Sequence, residues 1–205
     1  MARPALRPAD IEEFRRRVCD VALREFAHKG YRAVTLRGIA RELGCSHALA
    51  YRYFAGKAAI FVAVRRRCLD RFIAFQERRL RELGDPSAAL RAGARSYLDF
   101  AFAEPRAFAA LFELDQPQPR ARDAGLREAH RRAFRILERV VRRALDAGLI
   151  VGEPAELTRT FWSAIHGVAA LQLAGQLASR RAAYRLAQGA ADALIRGFAA
   201  REASP

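Results

Sequence analysis

The sequence is poor in lysine and cysteine. Only Lys29 and Lys57 of the 37 basic residues are lysines, so its basic character comes from arginine. The cysteines, Cys19, Cys45 and Cys68, are too few and too widely spaced to predict a disulfide framework or a zinc site. We expect them to be small apolar core residues in a reducing compartment, with redox sensing as the alternative.

The sequence also lacks signals for export, membrane insertion and catalysis. The N-terminus has no apolar signal-peptide core, and no uncharged apolar run reaches the roughly 20 residues of a membrane span. The four histidines fall in separate segments, without a carboxylate or cysteine at ligand spacing. No phosphate-binding glycine loop or nucleophile elbow occurs. We therefore expect a cytoplasmic protein with no membrane partner, and the sequence predicts no catalytic residue, no metal and no cofactor.

Positive charge is what the sequence has in excess. The formal net charge is +15, while hydrophobic residues make up 52% and charged residues 29%, the balance of a globular protein. Basic residues outnumber acidic ones by 18 to 8 in residues 1–80, but only by 19 to 14 in residues 81–205. A polyanion is therefore the expected partner, bound by the first part of the chain.

One segment in that first part predicts two short helices joined by a tight turn. Thr35 is placed to cap a helix over Leu36–Leu43, and Gly44 allows the positive φ of a turn. Ser46 is placed to cap a second helix over His47–Tyr53. This is the layout of a helix-turn-helix, whose second helix lies in the major groove of DNA.

The same segment resembles the tetracycline-repressor-like (TetR/AcrR) family of bacterial regulators. The matching residues, at fixed spacing, are Gly30, Tyr31, Thr35, Ile39, Ala40, Gly44, Ser46, Tyr51, Tyr53, Phe54 and Lys57. The chain departs from the family pattern at Ala48, Leu49 and Ala50, which bear on base reading, and at Ala58. The resemblance implies a one-component transcription regulator, a repressor that a small effector releases from DNA.

Nine side chains in this segment are candidates for contact with double-stranded DNA, which we expect to be a palindromic operator. Those expected to bind backbone phosphates and set the register are Thr35, Ser46, Tyr51, Tyr53 and Lys57. Those expected at base edges are Arg37, His47, Ala48 and Arg52, since arginine reads guanine and alanine contacts a thymine methyl. Solvated faces are expected for Arg15, Arg16 and Arg17 and for Arg65, Arg66 and Arg67, with a role in the electrostatic field at the DNA as the alternative for the second group. A basic N-terminal arm with Arg3 and Arg7 either touches DNA or is disordered.

The remaining sequence predicts further helices and no strand. They are expected from Asp10, as cap, to Gly30, and over 56–83, 87–103, 106–114, 125–147, 154–177 and 181–200, with a polar loop over 115–123. The fold predicted is all-α: an N-terminal three-helix DNA-binding domain with the helix-turn-helix, residues 1–57, joined by a long helix to a C-terminal helical bundle. Residues 58–205 are expected to bind the effector and to dimerise.

The last two predicted helices are weakly charged over long stretches. Phe161–Ala178 contains no charged residue, which predicts burial on more than one side. The simplest account is a homodimer through these two C-terminal helices, in a four-helix bundle. The pattern W-x-x-x-H-G at Trp162, His166 and Gly167 resembles the C-terminal domain of one branch of the family.

Trp162 and His166 lie four residues apart and so share one helix face. Two interpretations stay open. They are either a packed aromatic with a hydrogen-bonded core histidine, or part of a pocket for a small apolar effector, together with Phe100, Phe108, Phe112 and Phe134. The main alternative function is a nucleoid-type, non-specific DNA-binding protein without an effector.

Overall fold

A computed structural model describes residues 7–81, 84–112 and 123–199. Over these ranges the regular structure is helical, without a strand, and the predicted all-α fold is confirmed. The helices are α1 (Pro8–Ala33), α2 (Leu36–Glu42), α3 (His47–Tyr53), α4 (Lys57–Leu80), α5 (Pro86–Ala103), α6 (Pro105–Phe112), α7 (Ala124–Asp146), α8 (Pro154–Leu173) and α9 (Arg180–Gly197). No helix in the described part of the chain combines the length and apolar character that a membrane span requires.

Side-chain caps fix where several helices begin. A side-chain oxygen accepts a backbone N–H three residues later at Thr35 of α2, Ser46 of α3, Asp85 of α5, Glu153 of α8 and Ser179 of α9. Such bonds satisfy N–H groups that have no partner inside the helix. Because each signal is local in sequence, α2 and α3 form within one residue of the predicted bounds.

Two predicted helix ends are wrong. The first helix does not begin at an Asp10 cap, because Pro8 takes the first helical position with Arg7 as N-cap. Asp10 instead sits in the first turn, where its carboxylate pairs with Arg7 at 3.0 Å. The eighth helix ends at Leu173 rather than near residue 177, since Gly175 has a φ of 72° that a helix cannot continue through.

Some predictions concern residues outside the described ranges. These are the arm residue Arg3, the helix ends at residues 83, 114 and 200, and the loop over 115–122.

The expected break at Gly30 is present inside α1, where φ is 75° and ψ is 159°.

The chain divides into two compact units. The first contains residues 1–69 and 106–129, and the second contains residues 70–105 and 130–205, so α4 and α7 each contribute to both. The predicted boundary after residue 57 separates a DNA-binding part from an effector-binding part and is not a division into compact units. It stays a prediction.

The core of the first unit is aromatic. Phe26 of α1 and Phe61 of α4 are fully buried, with their ring centroids 5.1 Å apart, and Tyr31 packs on Phe61 at the same distance. The predicted solvated face of residues 65–67 is wrong for Arg65, which is buried and whose Nη2 donates to the Leu111 carbonyl at 2.8 Å. A buried guanidinium is tolerated where it finds such acceptors.

The second unit has an aliphatic core between α5, α7, α8 and α9. Its buried members include Leu90, Val141, Leu157, Phe161 and Ile195. Within this unit α8 and α9 pack against each other, and both pack against α5. This arrangement places the C-terminal helices side by side.

Candidate DNA-binding site

Small buried residues lie on both short helices. Ala40 of α2 and Ala50 of α3 are 2% and 0% exposed, and the two helices pack against each other. Gly44 has a φ of 65°, and the Cys45 amide bonds the Ala40 carbonyl at 3.0 Å, which closes the turn. The helix-turn-helix predicted from the sequence is therefore formed as expected.

The outer face of α3 carries large polar side chains. Tyr51 is 51% exposed, and its ring stands edge-on to the half-buried His47 ring at 4.5 Å. Ala48 and Arg52 are exposed beside them, so three of the side chains expected at base edges share one accessible face. The fourth, Arg37, is exposed on α2. A face of this kind provides donors, acceptors and a methyl group for the major groove.

The charge around α2 and α3 favours a polyanion. The segment from Thr35 to Lys57 holds four basic residues, Arg37, Arg41, Arg52 and Lys57. Its acidic residue is Glu42, which pairs with Arg24 of α1 at 3.6 Å. The net positive charge close to the exposed face of α3 would raise the local concentration of DNA.

The hydroxyls expected to bind phosphates also serve as helix caps. Thr35 Oγ1 accepts the Gly38 amide at 3.1 Å, and Ser46 Oγ accepts the Leu49 amide at 3.2 Å. A hydroxyl that accepts a hydrogen bond keeps its own proton as a donor. Capping is therefore compatible with the predicted phosphate contact.

Lys57 is more constrained than the sequence indicates. Its Nζ donates to the carbonyls of Tyr31 and Arg32 at 3.0 and 3.1 Å, and it lies 4.5 Å from the centre of the Tyr31 ring. An ammonium group has three N–H donors, so one is left beyond these two bonds. Lys57 thus links the start of α4 to the last turn of α1, a role that sequence spacing does not reveal.

Tyr53 and Arg15 hold the far end of α3. The Tyr53 ring is half-buried against Phe14 of α1, with the centroids 5.2 Å apart. Arg15 was expected on a solvated face, but its Nη1 donates to the Tyr53 carbonyl at 2.7 Å and its guanidinium lies 4.5 Å from the centre of the Phe54 ring. The expectation for Arg15 is therefore wrong. Sequence spacing could not reveal this contact, because the carbonyl that Arg15 bonds lies 38 residues away.

The effector-pocket residues fall in both units. Phe108 and Phe112 belong to the first unit, where their rings are 4.9 Å apart. Phe100, Phe134, Trp162 and His166 belong to the second. Phe100 is buried against Phe72 and Phe75 of α4, while Phe134 is half-buried on α7.

Within the second unit Tyr97 joins Trp162 and His166. The indole N–H of Trp162 donates to the Tyr97 hydroxyl at 3.3 Å, and that hydroxyl lies 2.9 Å from His166 Nδ1. Burial lowers the pKa of His166, which favours the neutral ring and lets Nδ1 accept from Tyr97. Tyr97 was not expected here, since a tyrosine on an apolar helix face is typical of any core.

Buried oxygens of Gln76 and Ser96 also lie in the interior of the second unit. Gln76 is 4% exposed and Ser96 is 2% exposed, and neither Gln76 Oε1 nor Ser96 Oγ has a hydrogen-bond partner within the described residues. Gln76 lies one helical turn after Phe72, which packs on Tyr97, and Ser96 precedes Tyr97. Among the same residues, no group of three or more histidine, cysteine or carboxylate side chains is placed to hold a metal ion.

Comparisons with known proteins match both the helix-turn-helix segment and the C-terminal helices. The family model described as bacterial regulatory proteins, tetR family, matches residues 18–64, and a tetracyclin repressor-like C-terminal domain matches residues 90–195. The HTH-type transcriptional activator FasR of Mycolicibacterium smegmatis is 28% identical over an alignment of 141 residues that covers 58% of this chain. The chain spans 64% of the length of that curated relative.

Solved structures share the fold over most of the chain. A Rhodococcus sp. RHA1 protein, described as of unknown function, is 26% identical with a TM-score of 0.78, covering 91% of this chain and 95% of its own. A putative transcriptional regulator from Saccharomonospora viridis, in complex with choline, is 22% identical with a TM-score of 0.71, covering 93% of this chain and 100% of its own. With a family model matching more than half of its residues and a helix-turn-helix at the position that a second model covers, the chain belongs to the tetR family of bacterial regulatory proteins.

Proposed function

We propose that this DNA-binding regulator is a sequence-specific homodimer that represses transcription until a small effector releases it. The observation that carries the proposal is the exposed face of α3, where His47, Ala48, Tyr51 and Arg52 surround a helix capped at Ser46. Two such helices, about 34–36 Å apart or a multiple of that spacing, would read a palindromic operator. A protein with this task works in the cytoplasm, where bacterial DNA lies.

The phosphate and base contacts follow from the same face. In this proposal Thr35, Ser46, Tyr51, Tyr53 and Lys57 set the register on the backbone. The base edges are read by Arg37, His47, Ala48 and Arg52. Positive charge in this segment supports the assignment, since phosphate neutralisation supplies most of the affinity of such proteins.

The proposed dimer interface lies on α8 and α9. One face of α9 carries Ala182, Leu186, Gly189 and Ala193 at steps of three and four residues; we call it the α9 stripe. Leu186 is 46% exposed, and Leu171 on α8 is 45% exposed. The two helices that carry them pack side by side. Large apolar side chains among small neighbours on adjacent helices are suited to a four-helix bundle with a second copy.

The proposed effector site is the second unit's aromatic and polar interior. Trp162, His166 and Tyr97 form a hydrogen-bonded chain beside Phe100, while Gln76 and Ser96 carry buried oxygens without partners in the described residues. Buried polar atoms in that state cost about 1–3 kcal/mol unless something bonds them.

The effector is therefore an apolar molecule with a polar end. The choline bound to the Saccharomonospora viridis regulator shows that a protein of the same fold accepts a small ligand. Phe134 remains a candidate lining residue of this site, while Phe108 and Phe112, which belong to the first unit, stay a prediction of the sequence. The W-x-x-x-H-G pattern remains a prediction of the C-terminal subtype.

Two measurements test the proposal. Binding to the palindrome upstream of the protein's own gene is compared with binding to random duplex DNA, at one fixed salt concentration, and a preference of at least about 1,000-fold is expected. Equal affinities would instead identify a nucleoid-type protein. Apolar compounds with a polar end are then screened for loss of the footprint, and a compound that strengthens it would contradict release by the effector. Transcription from the same promoter with and without the protein separates repression from activation, the role that the name of FasR gives to that relative.

A further inference from the structure

The third helix is too short to hold its own orientation. It has seven residues, fewer than two turns, and isolated helices of that length are unstable in water. Ser46 satisfies an amide at its beginning, and the Phe54 amide bonds the Ala50 carbonyl at its end. The carbonyls after Ala50 have no partner within the helix, so a group from another helix that bonds one of them fixes the end of α3.

The bond to the end of α3 comes from Arg15 on α1. Its Nη1 donates to the Tyr53 carbonyl at 2.7 Å, a charge-assisted bond to the negative end of the helix dipole. The same guanidinium lies 4.5 Å from the centre of the Phe54 ring, which is 3% exposed. Phe14, the preceding residue, packs against the Tyr53 ring at 5.2 Å.

We infer that Arg15 is a positioning residue for base reading: it orients α3 from behind and makes no contact with DNA itself. The inference rests on the proposed sequence-specific binding, and it assigns to the residue a role that neither charge nor motif indicates. A planar guanidinium both donates to a carbonyl and stacks on a ring, whereas an ammonium does one of these well. With the bond removed, α3 would tilt or fray, and side chains at the base edges would lose their register before phosphate contacts failed.

Salt dependence separates positioning from phosphate contact. Each phosphate neutralised by a cation adds about 0.9 to the slope of log affinity against log salt concentration. A residue that touches phosphate therefore lowers the slope by about one when it is neutralised, and it weakens all sequences alike. A residue that only orients α3 leaves the slope unchanged and lowers the preference for the operator.

The experiment measures the full-length dimer on two duplexes, the strongest site selected by the wild-type protein from a random library and a scrambled version of it. For Arg15→Gln we expect operator affinity to fall about tenfold or more, with affinity for the scrambled duplex within about twofold and the salt slope unchanged. Arg15→Lys should recover part of the preference. Arg17→Gln is the matched control, because Arg17 is an exposed arginine on the same helix, and it should leave the preference unchanged.

Amide hydrogen exchange gives a readout that does not depend on DNA. In Arg15→Gln the Phe54 amide, which bonds the Ala50 carbonyl at 3.1 Å, should exchange faster, while the amides of α2 keep their protection. If Arg15→Gln does not fold, the preference for the operator, the salt slope and the exchange of the Phe54 amide are measured on Arg15→Lys instead. A slope lower by one with an unchanged preference would overturn the inference in favour of a phosphate contact, and an unchanged preference with unchanged exchange would overturn it outright. A wild-type protein that prefers no sequence would instead refute the proposed function. The exchange of the Phe54 amide would then still show whether Arg15 holds the end of α3.

Discussion

Replacing Leu186 by arginine should break the proposed dimer. Leu186 is the large apolar side chain of the α9 stripe and is 46% exposed in the single chain. Completely burying a leucine side chain contributes about 1.5–3 kcal/mol, so burying the remaining half contributes roughly 1 kcal/mol. In a two-fold dimer every contact occurs twice, which makes the loss about 2 kcal/mol before any charge is considered.

A loss of about 2 kcal/mol raises the dimer dissociation constant about 30-fold, since 1.4 kcal/mol corresponds to a factor of ten. The arginine adds a further penalty, because two guanidinium groups would be brought into one apolar interface without carboxylate partners. We therefore expect a dissociation constant at least 30-fold higher than that of the wild type. Sedimentation equilibrium over a dilution series measures it.

Val151→Arg is the control for this prediction. Val151 is 51% exposed and lies in the turn between α7 and α8, outside α8 and α9, the two helices of the proposed interface. The control introduces the same charge at a similarly exposed apolar position and should leave dimerisation unchanged. An equal effect of the two substitutions, or a wild-type protein that is monomeric at the concentrations where it binds DNA, would refute the assignment of the interface.

Further outcomes follow from other parts of the chain. Arg52→Ala should relax sequence choice at one base pair at a cost of about 1–3 kcal/mol in operator binding, as competition assays on operator variants would show. Lys57→Ala should weaken binding to all sequences alike and lower the salt slope by about one, as affinities measured over a series of salt concentrations would show. Burial raises the pKa of the Cys19 thiol to about 11, so at pH 8 a thiol reagent should modify the half-buried Cys45 well before Cys19, as mass spectrometry would show. Burial lowers the pKa of His166, so the unfolded chain binds a proton at higher pH than the folded chain does; thermal stability should fall as the pH drops below about 6.5, and His166→Gln should flatten that part of the profile.

Features that depend on neighbours in sequence could be predicted well. Thr35, Gly44 and Ser46 each act through an atom within a few residues, so a cap, a turn and a second cap define α2 and α3. The same reasoning misplaced the start of α1, because two signals compete there, and Pro8 begins the helix before Asp10 can cap it. Local rules fail where two of them apply within one turn.

Features that depend on distant partners could not be predicted. Arg15 bonds a carbonyl 38 residues away, Arg65 bonds one 46 residues away, and Tyr97 meets His166 across 69 residues. An arginine on an amphipathic helix has the same sequence signature whether it faces water or a carbonyl, because its long stem permits both. The fold decides between the two outcomes.

Lys57 shows how this distinction affects the interpretation of DNA-binding measurements. Its ammonium bonds two carbonyls at the end of α1, so removing it costs folding stability on the order of 1 kcal/mol as well as any phosphate contact. A weaker complex after Lys57→Ala would therefore not by itself demonstrate contact with DNA. The salt slope does, because lost carbonyl bonds release no counterions, whereas a lost phosphate contact lowers the slope by about one. An unchanged slope would place Lys57 beside Arg15 as a residue that supports the reading helices and leaves the DNA backbone to others.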